Sequence, residues 1–424
     1  MKHRIIVLAA FTLSVIQMRA QNLEYRFSLA DEGTFNTVRK ETPLNYQNRI
    51  LPQSTESNLG TANLFLGYGG LTTSLNVDAS TDNLKPPKYT STVRELALDI
   101  SLTDEFDITI GKKILKWGPG YAFNPTGVVE PQRSPSDPSD RLSQYDGRKL
   151  AAVTAFFGRS SLTLVTINDV VYESSKISWS KQELALRVYT FFNGFDFSLI
   201  GHYKQGEHLE TGLNFAKVIG SNLEIHGEAL VKEGSSAQYH QIITSDNDEQ
   251  IFTSYPYVAL YENSDRLFYK TLLGSQYTFE DGMNIVLEYY HDAEGLSKIE
   301  WKRWLKFVKF QNSIQQGSIT APPVLIEASH NNILWALQTL SPRGTMSDYI
   351  FAREFYSMGS WSFECIQFLN AIDFSAVIVP SITYGISENL SLYSRLTSFI
   401  GDSDSEFGAL FNSYSFNLGV RFQL

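Results

Sequence analysis

The chain has 424 residues, with 35 lysines and arginines against 45 aspartates and glutamates, and a single cysteine. The acidic balance speaks against nucleic acid as a partner, because phosphate binding needs clustered positive charge. One cysteine excludes an intramolecular disulfide framework and a cysteine-rich metal site, so Cys365 reads as a small packing residue.

At the N-terminus Lys2 and Arg4 precede an apolar run from Ile5 to Ile16, and Ala20 puts a small residue before Gln21. This layout predicts a secretory signal peptide over residues 1–20. The run is too short for a membrane helix, which needs about 20 apolar residues. Without Lys2, Arg4 and Arg19 the balance becomes 32 bases to 45 acids, a net charge of −13. No later segment reads as a transmembrane helix. The expectation is an exported chain whose residues 21–424 form a single domain.

From Leu23 onward apolar and polar residues alternate. Leu23, Tyr25, Phe27 and Leu29 oppose Glu24, Arg26 and Ser28. Leu96, Leu98 and Ile100 oppose Glu95 and Asp99, and Phe106, Ile108 and Ile110 oppose Asp107 and Thr109. The same holds for Phe195, Phe197 and Leu199 against Asp196, Ser198 and Lys204, and for Leu223 and Ile225 against Glu224, His226 and Glu228. The last ten residues set Phe416, Leu418, Val420, Phe422 and Leu424 against Ser415, Asn417, Gly419, Arg421 and Gln423. A period of two means strands with one dry and one wet face. Short turn signals, as at Gly69, Thr103, Gly158, Asn193, Gly220, Glu280, Met358 and Ser387, alternate with longer polar connections. The longer ones cover 30–59, 80–91, 116–146, 171–181, 233–265, 293–346 and 399–412, and two further links near Gly206 and Ile372 are short.

Counting through the turns gives about 18 strands (16–18), each near the ~9–11 residues of a tilted membrane strand. Tight turns at one end and long loops at the other mark an all-β, transmembrane antiparallel β-barrel of the outer-membrane kind. A secreted β-sandwich also alternates. Its single core could not absorb so many dry faces, however, and no fixed-period repeat marks a propeller or solenoid. Bulges are expected where alternation slips, in 161–170 and around Cys365.

Three segments stand out. The loop from Lys116 to Pro138 is rich in glycine and proline and carries Trp117, Tyr121 and Phe123 as apolar anchors. It is expected to fold against the inner wall and narrow a pore, with Lys116, Glu130, Arg133, Asp137 and Asp140 selecting solutes; a rim loop that merely caps the barrel is the plainer reading. Residues 296–314 predict a helix: Ser297 and Glu300 form a capping box, and Trp301, Trp304, Leu305 and Val308 share a face. Lys298, Lys302, Lys306 and Lys309 lie elsewhere on it. One expectation places this helix at the outer leaflet with its cations on lipopolysaccharide phosphates. The other packs it over the barrel mouth with its lysines in water. A second short helix is expected over Asn331 to Leu340. The run from Glu288 to Glu294 could suggest metal, but at strand spacing His291 faces away from Glu288 and Asp292.

The WGxGYxFNP stretch from Trp117 to Pro125 resembles one found in a broad group of bacterial outer-membrane barrels, with porin and alginate-export-like members among them. The C-terminal strand is similar to the signal read by the barrel-assembly machinery, in Gly419, Phe422 and Leu424, although the usual last residue is Phe. The resemblance implies location in the envelope of a Gram-negative bacterium and a channel architecture, and supplies no substrate. By alternation the lumen wall carries the acids Glu24, Glu95, Asp99, Asp107, Glu183, Asp196, Glu210, Glu224, Glu228 and Glu288. Its bases are Arg26, Lys113, Arg187, Lys204, Lys270, Arg395 and Arg421. The acidic excess predicts weak cation preference. The expected function is passive diffusion of small hydrophilic solutes, without cofactor or catalytic residue; neither a Gly-x-Ser-x-Gly elbow nor a His-Glu-x-x-His motif occurs. An exporter or assembly barrel for polysaccharide or lipid, and a structural barrel closed by its loops, are the alternatives.

Overall fold

The computed structural model describes residues 23–130, 145–168, 170–173, 176–179, 182–206, 209–235, 237–240, 242, 260–262, 266–341 and 344–424. The expected signal peptide and the loop residues Arg133, Asp137 and Asp140 lie outside this set.

The strands in chain order are β1 (Glu24–Val38), β2 (Glu56–Tyr68), β3 (Leu71–Asp82), β4 (Lys88–Thr103), β5 (Phe106–Lys113), β6 (Arg148–Phe157) and β7 (Ser160–Ile167). A small hairpin of β8 (Val170–Glu173) and β9 (Lys176–Trp179) follows, then β10 (Glu183–Phe192), β11 (Phe195–Lys204), β12 (Glu210–Ile219) and β13 (Leu223–Glu233). A second short pair, β14 (Gln238–His240) and β15 (Leu260–Glu262), precedes β16 (Leu267–Thr278) and β17 (Asn284–Asp292). Helices α1 (Lys298–Gln315) and α2 (Pro323–Gln338) lead to β18 (Asp348–Met358), β19 (Trp361–Asn370), β20 (Ala376–Gly385), β21 (Leu390–Ile400) and β22 (Asn412–Gln423).

Apart from the two short hairpins, all strands belong to one 18-stranded antiparallel sheet in which each pairs with the next. It closes on itself: β1 pairs with β22, Leu29 opposite Phe422 and Asp31 opposite Val420. Phe27 and Leu424 exchange both backbone hydrogen bonds, at 3.2 and 2.9 Å. Closure removes the sheet edges, as a structure surrounded by hydrocarbon requires. The eight turns expected at Gly69, Thr103, Gly158, Asn193, Gly220, Glu280, Met358 and Ser387 lie at the end where β1 begins and β22 ends. The Asn193–Gly194 turn shows why: φ is +50° and +78°, the two-residue geometry that Asn-Gly accepts cheaply.

Directly opposed residues share a face, so one outward residue fixes its whole rung. Leu71 opposes Leu98, Leu98 opposes Ile110, Leu164 opposes Leu186 and Leu186 opposes Gly201. These outward leucines and isoleucines are exposed to the surroundings of the barrel. Burying one such side chain is worth about 1.5–3 kcal/mol, so an outer surface made of them is stable only against hydrocarbon. The barrel thus has the architecture of the bacterial outer membrane.

Several connections depart from expectation. The first link is shorter than 30–59, because β1 runs on to Val38 and β2 starts at Glu56; these ends continue the ladder although Asp31 and Gly33 interrupt the apolar face. The links near 171–181 and 233–265 contain the hairpins β8–β9 and β14–β15. Helix α2 begins at Pro323, eight residues ahead of the expected Asn331; Pro323 suits a first helical turn, whose N–H groups have no partner anyway. Residues 161–167 and the ladders at Cys365 run without a bulge. Register shifts fall instead at Ser74/Leu75 against β4, Ser101/Thr103 against β5 and Thr37/Val38 against β22.

Candidate functional site

After Lys113 the chain turns inward and lies along the inner wall. Trp117 packs with Leu150, Ala152, Val165, Ala185 and Ile200, the inward residues of β6, β7, β10 and β11. Phe123 joins Leu272, Val286, Phe351 and Phe368 on β16 to β19 and stacks on Tyr290 with ring centroids 4.1 Å apart. The two aromatics thus fasten the loop to separate arcs of the barrel. Prolines and glycines keep this stretch out of regular structure, so its backbone groups need partners elsewhere.

Three carboxylates supply them. Glu130 Oε1 accepts the N–H groups of Trp117 and Gly118, at 2.7 and 2.8 Å. Glu228, about halfway along β13, accepts from Gly120 N at 2.8 Å, Thr126 N at 2.8 Å and Thr126 Oγ1 at 2.7 Å. Glu288 on β17 accepts from Tyr121 N and, at 2.8 Å, from Ala122 N, and its Oε1 lies 2.9 Å from His226 Nε2. Asn214 donates to the carbonyl of Trp117 at 3.1 Å and to Thr126 Oγ1 at 2.8 Å. Ionised acceptors make the stronger class of hydrogen bond. The glycines follow from the same geometry, since a Cβ on Gly118 would lie 2.6 Å from Glu228 Oε1, and one on Gly120 2.3 Å from the Phe123 carbonyl.

The register places the seventeen expected wall residues on the inner face, but not all of them meet the lumen. Glu228 and Glu288 are buried beneath the loop, at 3% and 0% exposure. They fasten backbone and do not line a water column, because a glycine-rich backbone lying on the wall needs acceptors from it. Glu130, expected to select solutes, is likewise committed to its own loop. Glu95 accepts the Ile114 N–H at 2.9 Å where the loop begins. Asp99 pairs with Lys113 and accepts from Thr109, and Asp107 shares that face of β5. Arg187 donates to Ser198, Asp196 accepts from Tyr189, and Glu224 lies 3.5 Å from His226 Nδ1. Arg395 pairs with Glu32 at 3.2 Å and Arg421 lies over the Tyr393 ring. Lys116 is exposed, Tyr121 half-buried, and both Trp117 and Phe123 are buried.

Helix α1 carries the expected capping box, Ser297 and Glu300 bonding each other's backbone N–H. Its aromatic face does not meet lipid. Trp301, Trp304, Phe307 and Val308 are buried in a cluster with Leu44, Phe351, Ile366, Phe368, Val377 and Phe407, which includes inward residues of β18 to β20. An apolar patch on the inner wall gives these rings a protein partner, so the rings do not sit at a lipid interface. Lys298, Lys302, Lys306 and Lys309 remain exposed, and Lys309 pairs with Asp404 at 2.5 Å.

Above the loop, on the side of the long connections, lies a chamber of 550 Å³. Its lining includes Asn124, Pro125 and Glu130 of the loop, Thr345 and Met346 after α2, and charged wall residues of β6, β10 to β13, β16 and β17. Lys204 and Lys270 belong to it. Arg148, His202 and Lys232 are not among the expected site residues, and Asp292 and Glu294 figure there only as metal ligands in the run 288–294. Alternation puts His202 and Lys232 on the polar face and could have oriented Arg148; Glu294 stands beyond its strand, where periodicity is silent.

An antiparallel, closed, 18-stranded transmembrane barrel with an inward loop is the class defined by this geometry. Solved structures of the same form are OccK5 (OpdH) of Pseudomonas aeruginosa, TM-score 0.52 at 10% identity over 95% of this chain and 98% of that one. OccAB1 of Acinetobacter baumannii has TM-score 0.52 at 8% identity over 96% and 97%. At these identities the likeness shows the barrel fold. No family model and no curated protein matches the sequence.

Proposed function

We propose that the chain is a porin-like outer-membrane channel for passive diffusion of small hydrophilic solutes, narrowed by the loop of residues 114–130. The observation that carries this reading is the loop's fastening: a charged latch of Glu228 and Glu288, about halfway up the wall, holds it inside the barrel. Opposite it the inner face is polar. Asp78 accepts from Thr61 and Asn76, Asn417 donates to Glu32, and Arg395 stands beside them. Diffusion past such a wall needs no catalytic group. Gly419, Phe422 and Leu424 fit recognition by the barrel-assembly machinery, and the exposed lysines of α1 fit contact with lipopolysaccharide phosphates.

Liposome swelling tests the reading. Proteoliposomes should swell in small sugars and amino acids and less in larger sugars, and deletion of residues 116–146 should raise the size limit. A second reading, a barrel closed by its loops, draws on the packing of α1 against the inner wall. Absence of swelling in both the wild type and the deletion would favour it over the channel.

A further inference from the structure

The chamber above the loop carries an unbroken chain of opposite charges. Arg148 meets Glu183 at 2.7 Å. His202 lies between Glu183 and Glu210, its ring nitrogens 3.3 and 3.0 Å from their oxygens. Both nitrogens face carboxylates, an arrangement in which only the imidazolium donates twice. Lys232 binds Glu294 at 2.8 Å and stands 3.9 Å from Glu210. Lys270 meets Glu294 at 2.7 Å and Asp292 at 3.0 Å. With Lys204 and Glu130, the lining holds five basic and five acidic groups among the described residues, so these carry no net sign to attract a simple ion.

We propose that this chamber is a binding site for small zwitterions, solutes that carry an ammonium and a carboxylate a few bonds apart and no net charge. This rests on the channel reading and names its solute class. The Lys232–Glu210 contact, at 3.9 Å, is the longest in the chain and too long for a direct hydrogen bond. A zwitterion entering there gives its ammonium to Glu210 and its carboxylate to Lys232, so every wall charge stays compensated. A lone anion or cation disrupts one wall pair and leaves its partner exposed to a partly dry surrounding, which is costly. A neutral sugar finds donors and acceptors already engaged with each other. The volume suits such a solute, since small-molecule pockets run at about 300–1,000 Å³.

The test pairs calorimetric binding to the detergent-solubilised full-length protein with current recordings in planar bilayers. The probes are alanine, acetate, ethylammonium and glycerol. Alanine should bind at least tenfold tighter than the other three and should flicker-block the current. Lys232→Met should cut alanine binding tenfold and shift preference toward ethylammonium, while Glu210→Gln should shift it toward acetate. Both variants should keep the strand signal of the wild type in circular dichroism, and loss of that signal calls for the milder Lys232→Gln in its place. Current without preference for alanine over acetate or ethylammonium overturns the site and leaves the channel standing. Alanine binding without current overturns the channel and leaves the site. Absence of both overturns both.

Discussion

Glu406 sits at 2% exposure in the connection between β21 and β22, where its carboxylate accepts Thr345 N at 2.5 Å, Asn370 Nδ2 at 2.7 Å and the Tyr349 hydroxyl at 2.9 and 2.8 Å. Asp373 is its charged neighbour and accepts the Glu406 N–H. Burial raises this carboxyl to about 7, against the lowering effect of the three donors. In the unfolded chain it would titrate near 4.5. The folded form therefore holds a proton that the unfolded form has released between these two values. That contribution to stability is full below pH 4.5 and is lost as pH rises to 7. Amide exchange of the 401–411 connection is expected to slow as pH falls through this window, after correction for intrinsic rates, and Glu406→Gln should flatten the dependence. At Gly120 the expectation is steric. Gly120→Ala forces a methyl against the Phe123 carbonyl, so it should loosen the loop and raise proteolysis within 116–130, whereas Gly201→Ala meets no atom within 4 Å and should leave the loop alone.

For the elements, α1 offers the clearest prediction. Trp301 and Trp304 stack on each other at 4.9 Å between centroids, and the Trp301 indole donates to the Asp404 carbonyl at 2.8 Å. Replacing a buried tryptophan with alanine costs about 3–5 kcal/mol. Trp304→Ala should therefore free the helix for proteolysis while the barrel keeps its strand signal in circular dichroism. Strands were legible in the sequence because each needs only a local alternation, and turns because Asn-Gly and its relatives have a local backbone reason. The helix was legible through its capping box. Its partner was not: a tryptophan face at helical spacing suits lipid or protein equally well, and only the apolar patch of Phe351, Ile366 and Phe368, far along the chain, decides between them. The latch was illegible for the same reason. Glu228 and Glu288 look like any inward acid until a loop from more than a hundred residues upstream lies across them.

For the whole molecule, the outer surface and the lumen obey different solvents. Hydrocarbon accounts for the exposed Leu98, Ile110, Leu186 and Leu287, and it fixes the register rung by rung. One break in that belt is polar: Gln367 donates to Glu354 at 3.2 and 3.3 Å on outward positions of β19 and β18. Inside, the wall splits into a covered arc, where the loop and α1 pack on apolar and latched positions, and a polar arc on β1 to β5 and β21 to β22. The expected weak cation preference rested on counting every inward acid. Glu228 and Glu288 of that count belong to the loop's fastening, so ion selectivity is predicted to be smaller than the count implied. Reversal potentials in a potassium chloride gradient should lie near zero.

Single-channel recording reaches the latch inside the barrel directly. The wild type should give discrete, stable steps in planar bilayers, and the double variant Glu228→Ala with Glu288→Ala should give larger, noisier ones as the loop leaves the wall. Identical steps in the two proteins would contradict the latch, and silence in both would contradict the channel.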